Sequence, residues 1–267
     1  MLKLLWCEFA KLRRKPLFFA AAAVSALIPL GCALFLPDFQ EFTSGAEAVD
    51  GMMSTLFQMS AYLLLMPALV VLASNLLFEE QDNDTLKSLM TVPVSKSALA
   101  LAKMALLFLF SIAFMAVGGL VILLIVLAAG WEPVGFWRLF FVGVGQGIMM
   151  WAGALPCILL VVLLNRSYIV SVIITFFYTT VNYIFGLNDL FITQPFGLNL
   201  GTLLPGPLTF RWYFQYLDFS NAGAEMLGLL ERVSPYFVTT AQAFLVTGAE
   251  AAVFLALIAL VYKRQGV

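Results

Sequence analysis

EEQDNDTLKSLMTVPVSKSALALAK, residues 79–103, lies between two long apolar runs and decides what kind of helical protein this is. Its acids come first (Glu79, Glu80, Asp82, Asp84) and its lysines later (Lys87, Lys96, Lys103). Asp84 is placed to cap a helix that starts at Thr85, because its carboxylate accepts from otherwise orphaned amides and suits the positive helix end. Leu86, Leu89 and Met90 follow at i, i+3, i+4 spacing, so about two turns present one compact apolar face, and Pro93 stops the helix. Ser95 then caps a second helix that carries Lys96 and Lys103 into the next apolar run. A helix as short as the first is marginal in water and needs a surface. Two surfaces fit: a groove on another protein, with Met90 supplying adaptable packing, or the bilayer, into which Leu86, Leu89 and Met90 dip back.

Composition settles the class. The chain of 267 residues is 63% hydrophobic and 11% charged, against roughly 25% charged in an average soluble domain, so it is an integral membrane protein. Six runs, 17–36, 56–78, 104–128, 140–164, 169–187 and 241–262, reach or approach the ~20 apolar residues that a spanning helix needs. The expected fold is all-α, one polytopic transmembrane domain over residues 1–267. Lys and Arg counts orient it, since cationic loops stay cytoplasmic. With six spans, Lys3, Lys11, Arg13, Arg14, Lys15, Lys87, Lys96, Lys103, Arg166, Lys263 and Arg264 share one side, and only Arg138, Arg211 and Arg232 the other. Both termini and the 79–103 loop are therefore expected in the cytoplasm of a cell-membrane protein. The outer loops are acidic, with Asp38, Glu41, Glu47, Asp50, Glu132, Asp189, Asp218, Glu225 and Glu231. That suits ordinary solvated loops or attraction of a cationic substrate. A net charge of −1 points to no nucleic-acid partner.

Residues 1–16 begin with an amphipathic pattern. At about 100° per residue, Leu2, Leu5, Trp6, Phe9 and Leu12 share one face, and Lys3, Lys11, Arg14 and Lys15 lie opposite. Such a helix lies flat on the inner leaflet with Trp6 at headgroup depth, and Pro16 turns the chain into the membrane. A basic start before an apolar run also resembles a secretory signal. The run is as long as a full span, longer than a signal core, so it is expected to be a retained first helix. Cys7, Cys32 and Cys157 fall in the inner segment and within spans, which implies no structural disulfide.

Residues 188–240 are too long for a simple link and too apolar for a free loop. Phe191, Phe196, Leu203, Leu204, Phe210, Trp212, Tyr213, Phe214, Tyr216 and Phe219 would form an exposed greasy surface unless they fold back onto the spans. Phe210, Trp212 and Tyr236 are candidates either for an outer gate passed by an amphipathic substrate or for an aromatic belt at the outer headgroups. Glu250 is the one formal charge inside a span, roughly ten residues or ~15 Å of helix from its outer start. An intramembrane carboxylate is costly and faces protein or water. It either binds a cation, a proton or the cationic part of a substrate, or sits at the outer interface near Arg232. Gly143, Gly147 and Ala152-Gly153-Ala154 allow a close helix neighbour, and Pro67 and Pro156 allow kinks. Asn165-Arg166-Ser167 leaves little room for a second docking site.

There is no histidine, no cluster of metal-ligand spacing and no G-x-x-x-x-G-K-[ST] loop, so no catalytic or metal residue is expected and the chain has no ATPase site of its own. Energy must come from a partner or an ion gradient.

The chain resembles the membrane subunits of ATP-binding-cassette type 2 exporters. Glu79-Glu80 followed by Asp84-Thr-Leu-Lys-Ser-Leu, Pro93-Val-Ser95-Lys96, Leu101-Ala-Lys103 and the surface helix before span one carry the resemblance. It implies an elbow helix (Leu5, Trp6, Phe9), six spans, and a coupling helix at the cytoplasmic loop, residues 79–103, whose Asp84, Leu86, Lys87, Leu89 and Met90 contact an ABC ATPase subunit. It also implies an extracytoplasmic re-entrant segment at 188–240 with a helical hairpin near 222–233. ATP and magnesium would be held by the partner, none by this chain, and a second permease chain, identical or related, would complete the transporter. The compact size looks most like permeases that expel lantibiotics or bacitracin-like peptides. Two other readings stand beside it: an ion-driven secondary transporter, for which internal repeats and several buried polar groups would be expected, and a membrane scaffold or sensor.

Overall fold

The structure, a computed structural model, describes residues 2–12, 16–35, 42, 44–82, 95–164, 168–220 and 223–264. Helices account for all regular structure among them: α1 Leu2–Leu12, α2 Pro16–Phe35, α3 Gly45–Thr55, a π-helix Leu56–Leu65, α4 Met66–Asp82, α5 Lys96–Ala128, α6 Phe136–Leu164 and α7 Tyr168–Gly186. Then follow the short α8 Asp189–Ile192 and α9 Leu200–Leu203, then α10 Pro205–Tyr213, α11 Ala224–Val233 and α12 Thr240–Arg264. Single 3-10 turns, Phe214–Tyr216 and Ser234–Tyr236, follow α10 and α11.

Four helical stretches are long and apolar enough to cross a membrane: Gly45–Leu77, Lys96–Ala128, Phe136–Leu164 and Thr240–Arg264. Two shorter apolar helices, Phe18–Leu34 and Val170–Gly186, complete the set. The second expected run, 56–78, proves to be the inner part of a longer helix. Residues 45–55 extend it outward and draw Glu47 and Asp50 from the expected loop into helix. Ser44 starts it by accepting from the Glu47 amide at 3.3 Å, the first half of a Ser-x-x-Glu capping pattern. Ser95 likewise caps α5 through the Ala98 amide at 3.2 Å, as its position before the lysines predicts.

α5 and α6 form the centre, with α12, α4 and α2 packed around them. Small residues set the spacing. A Cβ on Gly147 would come within 2.9 Å of the Ser111 carbonyl, so α6 lies almost backbone to backbone on α5. Because lipid gives apolar helices no preference for one another, polar side chains specify the pairing. Trp151 Nε1 donates to the Met104 carbonyl at 3.0 Å, Tyr178 Oη to Gly153 at 2.7 Å, and Gln146 Nε2 to Phe57 at 2.8 Å. The last of these reaches into the π-helix, whose wider turns end just before Pro67, a residue with no amide proton to return to the ladder. By contrast α7 turns Ile173, Phe176 and Phe177 outward, as a lipid-facing or partner-facing helix does.

Candidate functional site

Two ends of the bundle hold the residues of interest. At the end that carries the 79–103 loop, α1 packs on α5. Trp6 points outward at 71% exposure, while Leu5 and Phe9 are half-buried. The side turned to the protein instead holds Glu8, buried and paired with Lys11 at 2.7 Å. An i, i+3 ion pair lets the helix place a carboxylate against α5 without leaving it unpaired. Asp84, Leu86, Lys87, Leu89 and Met90 lie outside the described residues.

The second helix of that loop is described, and it contains a feature that the sequence reading placed but did not understand. Lys103 is fully buried. Its Nζ donates to the Leu76 carbonyl on α4 and lies 5.8 Å from the centre of the Tyr262 ring on α12. A buried ammonium holds its charge where partners replace water, and the Leu76 carbonyl and the Tyr262 ring are two of them. One side chain therefore ties the loop-proximal ends of three helices, α4, α5 and α12. Ser97 adds a 3.4 Å bond from α5 to the Ala259 carbonyl of α12.

At the opposite end, α8 to α11 fold back over the bundle. Arg211, counted among the three cations of the expected outer side, is fully buried. Its Nε donates to the Tyr236 carbonyl at 2.8 Å and its Nη1 to the Gly201 carbonyl at 3.0 Å. α9, α10 and the turn before α12 are thereby joined by one guanidinium. Around it, Phe210 stacks on Phe214 at 4.7 Å. Trp212 donates to Thr240 Oγ1 at 3.2 Å and meets Phe244 edge-on. Both rings are buried, and Tyr236 is half-buried. Apart from Phe196, which stays 44% exposed, the segment has thus turned its aromatics at least partly inward, and α10 packs against α6, α7 and α12. α11 occupies the expected hairpin region as an amphipathic helix with Met226 and Leu227 exposed.

Near the 188–240 segment, Asp50 on α3 accepts from the Asp218 amide at 3.0 Å beside an open cavity of about 220 Å³ lined by Glu47, Asp50, Asp218 and Ser220 among others. The Ser220 amide and hydroxyl hold the Asp218 carboxyl below the usual carboxylate range.

Glu250 is half-buried on α12, which packs along α6. Arg232 is not beside it but 3.9 Å from Asp189. Phe210, Trp212 and Tyr236 come together through the Arg211 node, whereas Glu250 stands about three turns further into α12 than Thr240. No group of His, Cys, Asp or Glu able to hold a metal is found among the described residues.

A family model described as ABC-2 family transporter protein matches residues 4–182, a stretch that takes in α1, the 79–103 loop and the helices up to most of α7. No curated protein matches the chain.

Proposed function

The chain belongs to the ABC-2 transporter family, and from that premise we propose that it is the membrane permease subunit of an ATP-driven exporter that moves an amphipathic substrate, such as an antimicrobial peptide, out of the cell or its membrane. The observation that carries the proposal is the family match over residues 4–182, which includes both the surface helix and the loop expected to meet an ATPase. In this reading α2 and α7 join the four long apolar helices as six spans, both termini are cytoplasmic, and the 188–240 segment is the extracytoplasmic re-entrant cap. An ABC ATPase subunit sits under residues 84–90, and a second permease chain, identical or related, faces this one. ATP and magnesium belong to the ATPase.

Lys103 is the mechanical link. ATP-driven closure of two ATPase subunits displaces the coupling helix, and the rigid start of α5 passes the motion through Lys103 to α4 and α12 together. Helices locked at one end move as a body, so the displacement reaches the aromatic cap over Phe210, Trp212 and Tyr236 rather than being absorbed locally. Substrate leaves past that cap.

The test is to purify the tagged chain in mild detergent and identify what accompanies it in stoichiometric amount. A subunit with a phosphate-binding loop, lost on Leu89→Asp or Met90→Asp while membrane insertion is kept, is the expected result. Recovery of the chain alone under conditions where such complexes survive would favour an ion-driven transporter. Normal ATPase retention in both variants would overturn the docking assignment.

A further inference from the structure

From Leu190 to Phe210 the chain carries no formal charge, although this stretch lies beyond the end of α7. Large apolar side chains stand outward along it and just before it: Leu187 and Leu190, then Phe196, Leu198, Leu200 and Leu203. Leu198 is 96% exposed and Leu190 74%. A charge-free patch of this kind is a liability in water and marks a surface that meets something apolar.

The polar side chains of the same stretch serve its own main chain. Gln194 accepts from the Gly201 amide at 3.0 Å and donates to the Leu190 carbonyl at 2.9 Å. Asn199 accepts from the Thr202 amide at 3.1 Å and donates to the Pro195 carbonyl at 2.7 Å. Asn188 accepts from the Leu190 amide at 2.9 Å, and Arg211 donates to the Gly201 carbonyl. Irregular main chain approaches hydrocarbon only when its amides and carbonyls find partners within the protein, and the α8–α9 hairpin supplies them itself. It is also held as one piece. Phe191 stacks on Phe185 of α7 at 4.2 Å, and a Cβ on Gly201 would fall 2.2 Å from the Phe191 carbonyl, so α9 lies directly on α8.

The length of α7 fixes the depth of the patch. Its 19 residues measure about 28 Å at ~1.5 Å each, close to the ~30 Å of bilayer hydrocarbon. As a span it delivers Leu187 to the outer acyl boundary, and its outward side chains, among them Phe176, Phe177 and Ile184, lead into the patch without a break in apolar character. We propose that the α8–α9 hairpin is a wedge in the outer leaflet. Leu190, Phe196, Leu198, Leu200 and Leu203 enter the acyl region beside α7, while the self-bonded main chain stays at the headgroup boundary. The partner of this surface is the bilayer itself. Asp189, the one charge of α8, lies 3.9 Å from Arg232 of α11. Because Arg211 ties α9 to α10, the cap rests on the bundle through α10 and on lipid through the hairpin. The inference goes beyond the export reading and rests on it only in taking α7 as a span.

Depth is measured by spin-label EPR on the full chain in phosphatidylcholine nanodiscs wide enough for two chains. Cys7→Ser and Cys32→Ser remove the accessible thiols, Cys157 is buried, and Leu198→Cys, Leu190→Cys or Glu132→Cys then carries the nitroxide, each at an exposed position that asks nothing of the core. Collisions with oxygen, which concentrates in lipid, are compared with collisions with a water-soluble nickel chelate. The oxygen-to-nickel ratio at 198 and 190 is expected to exceed that at 132 at least about fivefold, as burial ~5–10 Å into the headgroup and acyl boundary implies. A ratio at 198 and 190 equal to that at 132 would leave the patch in water, free for a protein partner, and overturn the wedge. Shielding from both probes would mean that protein, a second copy of the chain, covers it, and would overturn it equally. Absence of a copurifying ATPase would sink the export reading and leave the depth measurement standing, so the two failures are distinct.

Discussion

Arg211 donates to the main-chain carbonyl of Tyr236 across 25 residues of chain, at 2.8 Å, from a position with no exposed surface. That single bond, with its companion to Gly201, turns the segment before α12 from a loop into a lid of fixed shape. Removing the guanidinium deprives two buried carbonyls of a charged donor. Arg211→Leu is therefore expected to destabilise the protein by about 2–4 kcal/mol, and Arg211→Lys, which can reach one carbonyl at a time, by roughly half as much. Thermal unfolding of the purified chain in detergent measures both. A melting temperature unchanged in Arg211→Leu would show that the cap holds without its central bond.

Lys103 makes a second prediction, because its role is proposed to be transmission as well as anchoring. Removing the ammonium alone relieves its desolvation cost but leaves the Leu76 carbonyl without that donor, so it costs stability as Arg211→Leu does. Lys103→Met should destabilise the protein by about 1–3 kcal/mol and leave any ATPase bound, yet transport driven by ATP should fall at least tenfold per folded molecule. Lys103→Arg, which keeps a donor for Leu76 and a cation for Tyr262, should recover part of it. Equal transport by the parent and Lys103→Met would rule out the strut.

How much of this was legible in the sequence depends on which forces leave a periodic trace. The apolar runs that became α2, α5, α6, α7 and α12 could be read because lipid demands about 20 apolar residues in a row. Ser95 could be read because a cap is local chemistry. Residues 45–55 were assigned to a loop on account of Glu47 and Asp50, although Ser44 and Glu47 carry the capping spacing that would have found the helix. Arg211 and Lys103 were counted only for the side on which they lie, since nothing within a few residues of either foretells the distant carbonyls that receive them. The π-helix leaves no signature in the apolar pattern, and the approach of the Tyr62 and Tyr183 rings to 6.2 Å joins residues more than a hundred apart in the chain.

Gly206 tests whether the cap must press directly on the bundle. A Cβ there would fall 2.0 Å from the Asn182 carbonyl, a backbone atom of α7 that cannot swing aside. The same residue's carbonyl receives the Tyr62 hydroxyl at 3.0 Å. Gly206→Ala should thus push α10 off α7 at a cost at or above the ~1–3 kcal/mol typical of an overpacked core. Gly228, whose Cβ would meet nothing within 4 Å, is the control, and its replacement by alanine should leave the melting temperature unchanged or slightly raised. A tolerated Gly206→Ala would mean that α10 and α7 are free to separate, as a lid that opens far would require.

Glu250 is the remaining charge within an apolar helix, and no hydrogen bond or cation engages it among the described residues. Retaining an unpaired carboxylate in a span is expensive unless it meets water, substrate or an ion at some stage of the cycle. Glu250→Gln keeps the shape and loses the charge, so folding and assembly should be preserved while transport is reduced. The reduction should be larger for a cationic amphiphile than for a neutral one if the carboxylate receives the ammonium on its way out. Transport assays in proteoliposomes with the two kinds of cargo separate the cases. Equal loss for both would assign Glu250 to the conformational cycle, and no loss for either would return it to the outer interface as a solvated residue without a role in transport.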